Sequence, residues 1–176
     1  KLLKENPDNP GSLGIAISDA IEAVIKSEGK AKYSLGSVLG HVLMHQTING
    51  NEAIIQMEQT GDYPDIIVGC TGGGSNLSGL MFPFLGQQLR GGPKIDIIGC
   101  EPLSCPSFTK GKYAYDHGDM AKMTPLIKMH TLGSDFLPPA NHSGGLRYHG
   151  MSYHLSHLYD LGLMRAKAYG QKDCFE

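Results

Sequence analysis

The chain has 176 residues, 40% of them hydrophobic, and a formal net charge of −2 at neutral pH. That length suits one domain or a piece of a larger soluble protein. With no basic excess it offers nothing to nucleic acid. No apolar run approaches the roughly 20 residues needed to span a bilayer, and residues 1–10 lack the apolar stretch of a signal peptide.

In chain order, Ser12 is placed to cap a helix running to about residue 28. Leu13, Ile17, Ile21 and Val24/Ile25 recur at helical spacing, and Gly29 offers a stop. Residues 32–40 read as a short extended piece and turn. Residues 41–59 read as a helix weakened at Asn49-Gly50, and a turn over 61–64 leads into an apolar strand over 65–70. A helix over 75–90, a Gly91-Gly92-Pro93 break and a second apolar strand over 95–100 follow. Strand, helix, strand with short turns predicts an α/β fold, a parallel sheet flanked by helices, with ligands beyond the carboxyl ends of the strands. Periodicity fades over 102–147, which reads as an irregular run, and a last helix is expected over 151–161.

The turn Gly72-Gly73-Gly74-Ser75-Asn76 lies at the carboxyl end of the first strand. Consecutive glycines let backbone N–H groups crowd a ligand without interference from Cβ. The helix that follows adds unsatisfied donors and a positive partial charge, so the segment has the makings of a phosphate cradle. Ser75 and Asn76 are placed to add side-chain donors. A glycine-rich turn that binds nothing has the same letters. Leu77 stands where a dinucleotide fingerprint or a nucleophile elbow needs glycine, and no lysine lies between Gly72 and Arg90 to make a P-loop. A cofactor anchored by one phosphomonoester fits this pattern best.

Other chemistry-bearing residues form weaker patterns. His41 and His45 are four apart on an expected helix, and His154 and His157 share a face, but neither pair has a third metal ligand at a recognisable spacing. Ser37, Ser75 and Ser143 adjoin glycines without a histidine and carboxylate at triad spacing. Residues 142–149 place two histidines, Arg147 and Tyr148 around Gly144-Gly145. These residues either form a bland loop or line a cleft opposite the glycine turn, where Arg147 would offer a fork to a carboxylate. Cys70, Cys100, Cys105 and Cys174 form no C-x-x-C pair. Cys70 and Cys100 end apolar runs, so buried free thiols in a reducing, cytoplasmic compartment are expected.

Taken together, residues 69–76, 35–41, 129–136 and 144–150 resemble the tryptophan synthase beta subunit family, most closely its divergent second type. The resemblance covers nearly the whole chain in the same order. It implies the fold of the fold-type-II pyridoxal-phosphate enzymes and a β-replacement in which L-serine loses water and indole adds to give L-tryptophan. By position, Gly72, Gly73, Gly74, Ser75 and Asn76 would hold the pyridoxal 5'-phosphate, and Gly72, Tyr148 and Gly150 would offer backbone carbonyls to a monovalent cation. Residues 1–45 would end the smaller mobile domain and residues 46–176 would belong to the larger cofactor domain. A homodimer and an alpha subunit that supplies indole are the partners implied, with no nucleic acid and no membrane.

Against that pattern, the family's Schiff-base lysine and catalytic glutamate lie upstream of Lys1, and the serine facing the pyridine nitrogen lies beyond Glu176. The chain therefore reads as an internal piece, inactive alone, with no catalytic residue of its own. Arg147 stands where the common beta subunit has a substrate-closing aspartate. It is the expected ligand of a substrate carboxylate or phosphate, with phosphoserine as an alternative to serine. Another enzyme of the class, such as a serine or threonine dehydratase or a threonine or cysteine synthase, and a non-catalytic phosphate-binding module remain the other readings.

Overall fold

The computed structural model describes residues 6–176. Helices α1 (Leu13–Lys26) and α2 (Gly40–Thr60) precede strand β1 (Ile66–Cys70), helix α3 (Ser75–Leu89) and strand β2 (Asp96–Pro102). Strands β3 (Lys112–His117) and β4 (Leu126–Thr131), helix α4 (Tyr153–Asp160), strand β5 (Arg165–Tyr169) and a 3-10 turn (Lys172–Cys174) complete the order.

Strands β1, β2 and β5 form a parallel sheet in the order β1-β2-β5. Ile66 pairs with Asp96, Cys70 with Cys100, and Ile98 with Arg165. Helix α3 lies on this sheet through Leu77, which occupies the space that side chains at Gly69 and Gly99 would fill. Its Leu77, Met81, Phe84 and Leu85 join Ile67, Ile95, Ile97, Phe108, Met151, Leu155 and Met164 in one core. The α/β class and the parallel sheet flanked by helices are as the sequence predicts. At the open edge, Ile66 and Val68 of β1 stay more than half exposed.

Ser12 caps α1, its side chain accepting from the Ile15 N–H at 3.1 Å. Helix α2 is not weakened at Asn49-Gly50 but continuous through it. A Cβ on Gly50 would overlap the carbonyls of Gly79 and Leu80, and one on Gly79 would overlap Gln46. The two glycines therefore let α2 and α3 cross at near backbone contact. Pro83 lies inside α3 and offers no N–H to the Gly79 carbonyl. That oxygen faces Gly50 instead.

Two further elements depart from the sequence reading. The run over 102–147 contains an antiparallel hairpin, with Lys112 opposite Thr131 and His117 opposite Leu126. Strand β3 has no buried residue, and β4 passes from exposed Leu126 and Lys128 to buried Met129, His130 and Thr131, so neither shows the apolar alternation that marks a one-sided strand. Strand β5 carries Arg165 and Lys167 between small alanines, as an edge strand. Helix α4 begins after Ser152, whose side chain accepts from the Leu155 N–H. Among the described residues no helix is long and apolar enough to cross a membrane.

Candidate functional site

The glycine turn lies where β1 ends and α3 begins. Gly74 takes φ 109°, the left-handed region, and no side chain caps α3. The first N–H groups of that helix therefore have no partner within it and point out of its end. No acidic residue occupies the first turn of α3, so nothing there repels an anion. Ser75 is half-buried and Asn76 exposed. Asn76 donates its amide N–H to Cys70, reaching the carbonyl at 3.3 Å and the sulfur at 3.4 Å. Its side chain is thus turned back onto β1, and its contribution at the turn is its backbone N–H.

Neighbouring segments hold the turn in shape. The Ser152 N–H donates to the Gly73 carbonyl at 2.9 Å, and the Thr71 N–H donates to the Cys100 carbonyl at 2.7 Å. A side chain on Gly73 would overlap the Ser37 hydroxyl and Val38, and one on Gly72 would overlap the Gly145 carbonyl. Ser37 and Val38 on one side and the backbone of Gly145 and Leu146 on the other thus close on the turn. Ser37 sits at the turn although its sequence context signals nothing beyond an adjoining glycine. Only packing of residues distant in the chain brings it there. The glycines, the uncapped helix end and the Ser37 hydroxyl fit a phosphomonoester.

An apolar cavity of about 500 Å³ adjoins the turn, lined by Tyr33, Leu35, Val38, Met129, Tyr148 and Met151 among others. Its wall is shared with the turn, because Val38 and Ser152 belong to both. Tyr148 is fully buried, and its hydroxyl donates to the Gly118 carbonyl at 2.7 Å. Burial first, and then the Asp116 and Asp119 carboxylates, push that phenol well above its ordinary value. Asp119 accepts from Ser18 and from Thr124, tying α1 to the loop that floors the cavity.

The remaining candidates are dispersed. Arg147 donates to the carbonyls of Pro10, Gly11 and Pro138 at 3.0–3.3 Å, and its buried Nε finds no partner among the described residues. It lines a cavity of about 480 Å³ with Ser12, Asn141 and Gly144. The Tyr148 carbonyl accepts from the Cys105 thiol at 3.0 Å, so a cation there would share that oxygen. Burial and the Glu101 carboxylate push Cys105 up to about 12, which keeps it a neutral donor. Gly150 bridges to Thr131. His41 and His45 stand edge to face, 6.4 Å between ring centres, and no group of three metal-ligating side chains forms among the described residues.

All four cysteines are free. The expectation that Cys70 and Cys100 are buried is not met: Cys70 is exposed and Cys100 only half-buried. Cys70 is the last residue of β1, and Cys100 is its register partner in β2, which continues to Pro102. Cys105 is the buried thiol.

The chain is similar to known proteins along its whole length. The chain is 54% identical over 176 residues to a tryptophan synthase beta chain 2 from Methanosarcina mazei, covering 100% of this chain and 40% of that protein. It is 55% identical over 175 residues to the protein of that name from Aeropyrum pernix, covering 99% and 39%. Identity to the one from Thermotoga maritima is 54%, over 100% and 41%. The chain therefore spans about 40% of the length of these curated relatives. No protein-family model matches it. Among solved structures, a threonine deaminase superposes with a TM-score of 0.50 at 14% identity, over 74% of this chain and 40% of that one. That likeness bears on the fold.

Proposed function

Because the chain belongs along its whole length to the tryptophan synthase beta family, we propose that it is the phosphate-anchoring part of a pyridoxal-phosphate enzyme that joins L-serine or phosphoserine to indole. The observation that carries this reading is the uncapped N-terminus of α3 behind three glycines, set against an apolar cavity. Backbone N–H groups of Gly72, Gly73, Gly74, Ser75 and Asn76 would hold the phosphate, with the Ser75 hydroxyl beside them. Pyridoxal phosphate bound there would supply the electron sink.

The cavity is lined mostly by apolar side chains and, at about 500 Å³, has room for a flat aromatic ring, which supports indole as the second substrate. Arg147 would meet the carboxylate or phosphate of the amino acid from the cavity that it lines with Ser12 and Asn141. The carbonyls of Gly72, Tyr148 and Gly150 are the proposed ligands of a monovalent cation. The lysine that carries the cofactor would come from outside these residues. So would the rest of the smaller domain, of which residues 1–45 form the end, with residues 46–176 in the larger one. A homodimer, an alpha subunit and a cytoplasmic location complete the reading.

The test is an assay of the complete chain with pyridoxal phosphate. Tryptophan formed from indole and either serine or phosphoserine supports this function. Keto acid from serine or threonine, with indole untouched, would instead make it a dehydratase of the same fold.

A further inference from the structure

Three of the four thiols meet at one place. Cys70, Cys100 and Cys174 line a cavity of about 380 Å³ at the carboxyl ends of the parallel strands, beside Ser104, Asn141 and His142. Among the described residues no three such groups come close enough to hold a metal ion. The pair Cys70 and Cys100 has a different relationship. These residues are register partners, Cys70 at the end of β1 and Cys100 within β2, so both side chains leave the same face of the sheet. Adjacent strands lie about 4.8 Å apart, inside the roughly 4.4–6.8 Å range that disulfides span between Cα atoms. On the other side of Cys100, its register partner in β5 is Lys167.

We propose that Cys70 and Cys100 form an oxidisable thiol pair, and that their disulfide weakens phosphate binding at the glycine turn by loosening the anchor of Asn76 on Cys70. The exposed Cys70 is the sulfur that hydrogen peroxide reaches first. It attacks one peroxide oxygen, the O–O bond breaks, and a sulfenic acid and one water result. The Cys100 sulfur then attacks the Cys70 sulfur. The S–S bond forms, the S–O bond breaks, and the hydroxyl leaves as a second water with the remaining thiol proton. Two thiols and one peroxide become one disulfide and two waters, with the sulfurs losing the two electrons that the peroxide gains.

The link to the turn is the Asn76 amide, which donates to the Cys70 sulfur and carbonyl. Swinging that sulfur toward β2 removes one of the two acceptors and leaves the amide on the Cys70 carbonyl alone. Asn76 contributes one of the N–H groups at the end of α3, so its displacement reshapes the cradle. This second half rests on the phosphate site proposed above, whereas the disulfide does not.

The experiment treats the complete chain, without cofactor, with hydrogen peroxide, then digests it and maps cross-linked peptides by mass. A Cys70–Cys100 link reversed by dithiothreitol is expected in the wild type and in Cys174→Ser, and not in Cys100→Ser. A link through Cys174, or Cys70 stopping at an unpaired oxide, overturns the pairing. Binding of pyridoxal phosphate and of inorganic phosphate is then compared before and after oxidation. Affinity for both is expected to fall about tenfold, the equivalent of one good hydrogen bond, and Cys100→Ser is expected to keep it. Unchanged affinity in cross-linked protein overturns the coupling. Failure of the reduced protein to bind either probe overturns the phosphate site and the coupling with it, while the cross-link map still decides the pairing.

Discussion

The Ser152 N–H donates to the Gly73 carbonyl across 2.9 Å, so the residue that caps α4 also fixes a peptide of the glycine turn. Gly74 lies under the same cap: a Cβ there would overlap the Leu155 side chain and crowd Met151 and the Ser152 hydroxyl. Its φ of 109° adds strain for any other residue. Gly74→Ala should therefore weaken phosphate-ester binding about tenfold or more, through displacement of the turn. Gly91 supplies the control, since its φ is 91° and nothing lies within 4 Å of its Cβ position. Gly91→Ala should cost stability of about 1–2 kcal/mol and leave ligand affinity unchanged. Isothermal titration and chemical denaturation of both variants check this.

Where α2 crosses α3, Gly50 faces backbone oxygens that cannot swing aside as a side chain would. Alanine is the better helix former by about 1 kcal/mol, yet forced overpacking costs about 1–3 kcal/mol. Gly50→Ala is expected to lower the denaturation midpoint despite its higher helix propensity. A raised midpoint would show that the helices separate freely.

His130 lies in an aromatic box, stacked on Tyr113 at 4.9 Å, tilted against Phe108 and edge to face with Tyr159. Neither ring nitrogen has a hydrogen-bond partner among the described residues. Burial, partly countered by the Asp160 carboxylate, holds its pKa below the ordinary 6.5. The folded protein thus favours the neutral ring, and its contribution is complete above that ordinary value. It is lost as pH falls through the lower folded value, because the unfolded chain binds the proton first. His130→Phe should be close to neutral in stability at pH 8 and should reduce the loss between pH 7 and 5. His149, whose pKa burial also lowers, would retain part of that slope.

Arg147 holds three backbone carbonyls from two separate segments and keeps one buried N–H unpaired. Arg147→Ala is expected to raise KM for the amino-acid substrate by about tenfold, one charge-assisted contact, with a smaller change in kcat. Phosphoserine should suffer more than serine if the guanidinium meets the phosphate. Unchanged kinetics with both would limit Arg147 to anchoring Pro10, Gly11 and Pro138.

What the sequence disclosed follows from where each signal lies. The cap at Ser12, the apolar strands up to Cys70 and Cys100 and the glycine turn are local signals, and each appears where its letters predict. Lys112–His117, Leu126–Thr131 and Arg165–Tyr169 were hidden because none shows apolar alternation: the first has no buried residue, the second turns from exposed to buried partway along, and the third sets charged residues between alanines at a sheet edge. Gly50 misleads for the opposite reason: its effect on the helix is local, but the close approach of α3 is not. The same holds at the site, where residues 72–76 are legible. Ser37, the Ser152 contact and the cavity that Val38 shares with the turn depend on tertiary packing.

The central claim is that the turn at residues 72–76 holds the cofactor by its phosphate. The most direct measurement compares binding of pyridoxal phosphate and of pyridoxal, which lacks the phosphate, to the complete chain. Two hydrogen bonds to a charged group, at about 1.5 kcal/mol each, correspond to a preference of roughly 100-fold for the phosphate form. That preference, narrowed by Gly74→Ala, is the predicted result. Equal affinity for the two compounds, or a preference untouched by Gly74→Ala, would contradict the account.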